Sequence, residues 1–515
     1  MPHRFRFPCL VLLALAASAP MFGQDLAAFE KHVTEFTLAN GMHFIVLERH
    51  EAPVVSFVTW ANVGSVDDPK GETGLAHMFE HMAFKGTTTI GTTNWPKEKV
   101  ALAAEDAAYE ALEAERRKGL HADAGKVKTL QADFMAKQKL ASRYVVDNEY
   151  PRLIEANGGV GLNAFTSEDA TVYFYSLPSN RAELWFYLES ERFLHPVFRE
   201  FYKERDVVRE ERRMRTESNP QGQLIEDVLG ASYLAHPYKN PAVGWPSDVE
   251  NLTLREADKF YQAHYGPNNL TAAIVGDVDP VQVKRWATAY FGRLQRGPAA
   301  EPVVTVEPPQ DGARRVEVVS PTQPILLMTY HRPAETDPDR AVFGVISSLL
   351  SDGRTSWLYR SLVRDKKLAL FAGGFANFPG IKYPELFVFY DVPSPGHSVE
   401  ENLKAMDEQI DRLRTTPVDA ATLQMVKTKN RAALVRQLDN NAGLAQELAS
   451  NAVMFGDWRQ LFRSADEIDR VTAADVLRVA QHYFQPQMRT IGFLVKPPAP
   501  PAPPAQPSGT PREAH

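Results

Sequence analysis

The pentapeptide His77-Met78-Phe79-Glu80-His81 carries two imidazoles four residues apart, with a carboxylate next to the second. On an α-helix, at 100° per residue, His77 and His81 lie about 40° apart, so both rings can reach one cation. Imidazoles at i and i+4 suit Zn²⁺, and a carboxylate such as Glu80 beside the open coordination position can take a proton from an attacking water. That is the chemistry of metal-assisted hydrolysis, and it needs a third protein ligand. Lys203–Arg215 (KERDVVREERRMR) is the candidate source, a charged helix carrying Glu204, Glu210 and Glu211. Glu204 and Glu211 are seven apart, two turns on one face, and can point at the same partner helix. The competing reading of this run is a solvent-facing row of paired charges, with the two histidines lying on an ordinary polar helix face.

Other elements must hold these groups. Leu75, Met78, Phe79 and Met82 recur at i, i+3, i+4 and i+7 on the face opposite the histidines, and Gly86 offers a stop. Upstream, Glu35–Leu47 (EFTLANGMHFIVL) reads as a hairpin whose Asn40-Gly41 suits a type I′ turn, and Val54–Trp60 reads as a third strand. Lys97 to Glu149 is rich in Ala, Glu, Lys and Gln with a break at GLHADAG, which predicts two long helices forming a hairpin. Gly297–Gly312 is a Pro-rich connector between two blocks. The blocks end alike: the stretches from Val249 and from Ile468 align at a constant offset of 219, pairing Thr253 with Thr472, Pro267 with Pro486 and Thr271 with Thr490. Each runs helix, Pro turn, apolar strand, which predicts a duplicated α+β domain.

Composition narrows the partners. The 515 residues hold 57 Lys+Arg against 64 Asp+Glu, a net charge of −7, which argues against nucleic acid. The single cysteine, Cys9, excludes a disulfide framework and a thiolate-rich metal site. Residues 1–23 have Arg4 and Arg6 ahead of an apolar run and then small residues, the layout of a secretory signal, with an uncleaved anchor or buried helix as the alternative. Cleavage near Gly23 leaves a chain without cysteine and without a stable membrane span, exported to the periplasm or secreted. At the other end, 497–515 holds 8 of the 37 prolines and is assigned no fold.

Several motifs, taken in order, resemble the pitrilysin / insulin-degrading enzyme / mitochondrial processing peptidase superfamily, the inverted-motif zinc peptidases. Gly74–Thr87 (GLAHMFEHMAFKGT) resembles its zinc helix, Gly158–Pro178 its substrate-binding edge strand, and Glu204–Glu211 (ERDVVREE) the helix bearing the third ligand. The similarity runs from about Val33 to Val495. The resemblance implies that His77, His81 and Glu211 bind one zinc per chain, that Glu80 is the general base, and that Glu204 orients a ligand imidazole. Glu211 is preferred to Glu210 because the family's two glutamates are seven apart. Asn163, Ala164 and Phe165 match the strand that pairs with an extended peptide substrate.

Two departures stand out. His81 and Glu211 are 130 residues apart against about 75 in the family motif, and the hairpin at 97–149 accounts for the excess. The family also has an Arg and a Tyr seven apart in the partner half; here Arg364 is followed by Phe371, which cannot donate a hydrogen bond. The expected organisation is therefore a zinc-bearing domain at 24–296, a linker at 297–312, and a homologous domain without a zinc motif at 313–496. Each is a mostly antiparallel sheet packed with helices, together half of a clamshell chamber. A dimer is implied, with a heterodimer through a non-zinc homologous subunit favoured over a homodimer. The expected activity is zinc-dependent endopeptidase cleavage of peptides or unfolded segments; the alternative is a non-catalytic core subunit.

Overall fold

Runs of Val, Ile, Phe and Thr pair into two sheets in the computed structural model, which describes Leu26 and residues 28–497 apart from the side chains of Val435 and Gln437. The expected signal segment at 1–23 and the expected tail beyond Pro497 lie outside the described residues. The first sheet contains β1 (Val33–Thr37), β2 (His43–Glu48), β3 (Val54–Ala61), β4 (Val160–Thr166), β5 (Thr171–Pro178) and β6 (Leu270–Gly276), in the order β1-β2-β6-β3-β5-β4. The second contains β7 (Arg314–Val319), β8 (Ile325–Arg332), β9 (Ala369–Phe378), β10 (Glu385–Pro393) and β11 (Arg489–Val495), in the order β7-β11-β8-β10-β9. One pair in each is parallel, β2 with β6 and β7 with β11; the rest are antiparallel. From β2 onward the second sheet repeats the first. The offset of 219 holds residue for residue: helix Leu254–His264 answers Ala473–Tyr483, and β6 answers β11. Both helices open on the same reciprocal cap, Thr253 with Glu256 and Thr472 with Asp475.

The first hairpin corrects one expectation. β1 and β2 pair with Thr37 opposite His43, but only Gly41 in the turn has positive φ, at 96°. Asn40 does not occupy a type I′ position. Gly41 N–H donates to the Leu38 carbonyl at 2.9 Å and closes the turn locally, while the Asn40 amide donates to the carbonyls of Phe291 and Leu294 at 2.8 and 3.0 Å and ties the turn to a distant segment.

The halves cover each other. One face of the first sheet, with Ile45, Val58, Val172 and Val275, packs under helices Asn441–Phe455 and Gln460–Arg470 through Leu444, Leu448, Trp458 and Phe462. Reciprocally, helix Pro220–Ser232 places Leu224 and Val228 against Val318, Leu327, Val388 and Leu494 of the second sheet. Each such side chain contributes roughly 1.5–3 kcal/mol by leaving water, so neither sheet is complete without the other half. The inserted hairpin consists of Trp95–Arg116, capped by Asn94, and Ala124–Ala141, capped by Asp123, with a short turn at Gly119–His121. No described helix is long and apolar enough to cross a membrane.

Candidate metal centre

The helix bearing the histidines, Leu75–Met82, starts where the chain can only carry glycine. Gly74 has φ 95°, and a Cβ there would meet the Val243 carbonyl oxygen at 2.9 Å. The first N–H groups are satisfied from a distance: Asp68 accepts from Gly74 at 2.7 Å and from Ala76 at 2.9 Å. Leu75, Met78, Phe79 and Met82 are buried, which turns Glu80 and His81 toward the opposite side together with a His77 that is only 6 % exposed.

Facing this helix is a second one, Phe201–Arg212, from which Glu204 and Glu211 project. His77 Nε2 lies 3.7 Å from Glu211 Oε1, and His81 Nε2 lies 3.3 Å from Glu211 Oε2. The ligand atoms of His77, His81 and Glu211 all fall within 4.8 Å of one another. Tetrahedral zinc with bonds of about 2.0–2.1 Å spaces its ligands by about 3.3 Å, so two imidazoles and one carboxylate here fit that ion with a position to spare. Glu204 Oε2 stands 3.4 Å from His81 Nδ1, the nitrogen that faces away from Glu211. Glu80 Oε2 is 4.0 Å from His77 Nε2. Glu210 is turned elsewhere, paired with Arg213.

The charges reflect the crowding. Burial, reinforced by His81, lowers His77 to about 4. Burial also pulls His81 down, but Glu204 and Glu211 prevail and raise it to about 9. The hydrogen bond from His81 holds Glu211 below the usual carboxylate range, and burial pushes Glu80 above it. The carboxylates thus favour a cation between them, a proton on His81 or a metal.

A surrounding ring fixes the two helices, and sequence reasoning missed it. Lys85 ion-pairs with Glu204 and, at 3.1 Å, with Glu200. Its spacing, one turn beyond His81, was a usable signal. Arg199 is fully buried and pairs with an equally buried Glu98 at 2.7 Å. It also donates to the carbonyls of Lys85, Thr87 (2.6 Å) and Ile90 (3.1 Å), tying the exit of one helix to the approach of the other. Nothing local in the sequence marks that pair. The inserted hairpin grips the far face of the Glu204/Glu211 helix: Tyr202 donates to Asp106 at 2.5 Å, Arg205 donates to Tyr109, and the Tyr109 and Tyr202 rings lie 4.0 Å apart. A cavity of about 300 Å³ opens beside Glu80 and His81, its apolar wall made by Phe84, Val145 and Val146.

Asn163, Ala164 and Phe165 lie on β4, an edge strand that among the described residues pairs only with β5 and that packs beside the histidine helix. Asn163 and Phe165 are exposed, and Ala164 is buried. Arg364 and Phe371 sit in the second half. Arg364 pairs with its neighbour Asp365 at 2.6 Å, and Phe371 on β9 stacks on Tyr390 at 4.6 Å. Neither contacts the His77, His81 and Glu211 cluster among the described residues.

Two related sheets with one inverted histidine motif define a two-domain metallopeptidase fold, and the chain belongs to the pitrilysin superfamily, peptidase family M16. The family model described as Insulinase (Peptidase family M16) matches residues 44–114 and 132–244, and that described as Peptidase M16 inactive domain matches 251–430. Zinc protease PqqE of Helicobacter pylori is 26 % identical over 490 residues, covering 94 % of this chain and 96 % of the relative. An uncharacterized zinc protease of Streptomyces coelicolor is 23 % identical over 479 residues, 89 % of each chain. Among solved structures, a protease from Helicobacter pylori superposes with a TM-score of 0.75 at 26 % identity, covering 90 % of this chain and 99 % of the other. The first half of the periplasmic protease PqqL from Escherichia coli shares the fold, with a TM-score of 0.66 at 18 % identity over 90 % and 92 % of the chains.

Proposed function

We propose that this chain is an exported, periplasmic zinc endopeptidase that hydrolyses peptides or unfolded segments inside a dimeric chamber. The observation that carries the reading is the meeting of His77, His81 and Glu211 from helices 130 residues apart, with Glu80 beside them and Glu204 on the back of His81. His77, His81 and Glu211 hold one zinc, which when bound polarises the scissile carbonyl and acidifies the attacking water. Glu80 takes the proton as the water oxygen bonds to the carbonyl carbon, then passes it to the leaving amine as the C–N bond breaks. Glu204 keeps His81 in the tautomer that presents Nε2. The free edge of β4 at Asn163–Phe165 receives an extended substrate. Domains at 24–296 and 313–496, joined by the linker at 297–312, form half of the chamber, and a homologous chain without zinc completes it.

The other reading is a non-catalytic core subunit, favoured by the inactive-domain match and by the absence of a donor at Phe371. Glu80→Gln separates the two. Zinc retained with peptide cleavage lost supports the peptidase; equal cleavage by both proteins removes Glu80 from its role. A wild type that holds zinc and cleaves no peptide, alone or with a co-purifying subunit, favours the second reading.

A further inference from the structure

The run from Arg205 to Arg215 holds five arginines, and four of them pair with groups other than His77, His81 and Glu211. Arg205 donates to Tyr109 and to the Leu252 carbonyl. Arg209 pairs with Glu250, Arg212 with Glu226 and the Gly244 carbonyl, and Arg213 with Glu210. Arg215 differs. Its side chain is 72 % exposed, and its one partner among the described residues is the proposed ligand Glu211, with Arg215 Nη2 at 2.9 Å from Glu211 Oε1. That contact engages one nitrogen of the guanidinium, which leaves most of its five N–H donors for something else. The oxygen it touches is the one that lies 3.7 Å from His77 Nε2.

The backbone that aims Arg215 is built, not frayed. Residues Arg213–Glu217 form a π-turn that widens the helix just after Glu211, a distortion found often at functional sites. Helix Pro220–Ser232 then folds back so closely that a Cβ on Gly222 would collide with the Arg215 carbonyl oxygen. The main chain is held by packing while the side chain reaches past Glu211 into solvent. Arg215 also contributes to the electrostatics of His77, Glu80 and Glu211 together, which places its charge near all three.

We propose that Arg215 touches the substrate as the donor to the oxygen that becomes negative during attack, a role resting on the peptidase reading above. As the water oxygen bonds to the carbonyl carbon, the C=O π pair moves onto that oxygen and the water proton goes to Glu80. Arg215 donates an N–H to the oxyanion and transfers no proton. When the pair returns, the C–N bond breaks and Glu80 protonates the amine. Preformed donors at such a position are worth about 10²–10³ in rate. The chain thereby supplies within its zinc-bearing half a donor that Phe371 cannot provide.

Zinc-loaded wild type, Arg215→Met and Arg215→Lys are compared in three measurements: steady-state cleavage of an internally quenched peptide, zinc affinity by chelator competition, and calorimetric affinity for a phosphinic peptide that mimics the tetrahedral anion. For Arg215→Met the expected result is about a 100-fold fall in kcat, KM within about threefold, phosphinate binding weakened about 100-fold, and zinc affinity within about threefold, with Arg215→Lys in between. A fall in zinc affinity with activity restored by excess zinc would make Arg215 a prop for Glu211 and overturn the proposal, as would unchanged phosphinate affinity. If the wild type cleaves nothing, the phosphinate measurement still decides. Arg215-dependent binding then supports the anion site while the peptidase reading fails, and no binding to the wild type overturns both.

Discussion

The two halves share a frame and differ in what they place on it. In the first, the helix after β3 carries the histidines and packs against Phe201–Arg212. In the second, the helix after β8, Arg340–Ser351, buries an apolar face and packs against Ala420–Gln437. The offset of 219 carries Phe201 onto Ala420, so Leu423 and Asn430 stand where Glu204 and Glu211 do. Where the first half gathers two imidazoles around a carboxylate, the second has one neutral hydrogen bond, Ser348 donating to Asn430 at 3.1 Å. The same packed helix pair can hold a charged cluster or a quiet polar contact. The difference is that a cluster of like and unlike charges needs an outer ring of Lys85, Glu200, Arg199 and Glu98, and a neutral bond needs none.

The sharpest break in that comparison comes from removing the metal set. His81→Ala is expected to abolish zinc binding and to lower peptide cleavage by more than about 10³-fold, while Asn430→Ala leaves both unchanged. Metal content and kcat/KM check it. With free zinc at 100–1,000 times Kd, the wild type also gains about 3–4 kcal/mol of stability that a chelator removes, a sensitivity that Asn430→Ala keeps and His81→Ala loses. Chelator-insensitive melting of the wild type would erase the distinction between the halves.

Next in size is the ring itself. Arg199→Met strands the buried Glu98 carboxylate and three carbonyls, with an expected loss of about 3–5 kcal/mol by urea unfolding. Changing both, Arg199→Met with Glu98→Leu, should recover part of that loss, since the stranded charge is gone. Recovery of stability without recovery of zinc affinity would show that the pair serves the geometry of the site more than the fold. A smaller step is Glu204→Gln, which leaves His81 its neighbour but removes the charge. Zinc affinity is expected to fall 10–100-fold with the fold intact, measured by competition titration.

These residues also show what a sequence carries and what it hides. His77, Glu80 and His81 are legible because helix periodicity alone puts them on one face. Glu211 needed the resemblance, since Glu210 next to it is chemically equal and only the packed structure turns it to Arg213. The repeat was visible through its offset of 219, because that offset is the same at Phe201, answered by Ala420, and from Leu254 to the end of β6. Arg199 with Glu98 was invisible: 101 positions separate them, and a buried ion pair leaves no local pattern. Asn40 misled in the opposite direction, offering a turn-forming dipeptide whose amide is spent on Phe291 and Leu294. Local rules succeed where one element decides the outcome, and fail where two distant segments must agree.

The last contrast between the halves lies in one strand. β3 and β8 have eight residues each, and their second residues, Val55 and Leu326, face Leu177 and Asp391 respectively. Leu177 and Asp391 are both fully buried, but neither Asp391 oxygen has a hydrogen-bond partner among the described residues. Burial alone raises its carboxyl to about 7 from an ordinary 3.8. With the folded value above the unfolded one, the stabilising effect of the neutral acid is complete below about pH 4. It is lost as pH rises toward 7, because the unfolded chain gives up a proton that the folded chain retains. Asp391→Asn removes that titration. Between pH 4 and 7 the slope of unfolding free energy should become more positive, by at most about 1.4 kcal/mol per pH unit, with zinc affinity untouched. Parallel pH profiles for wild type and variant would mean that water reaches Asp391 in the folded protein, and that the second sheet tolerates at this position a charge that its counterpart at Leu177 never meets.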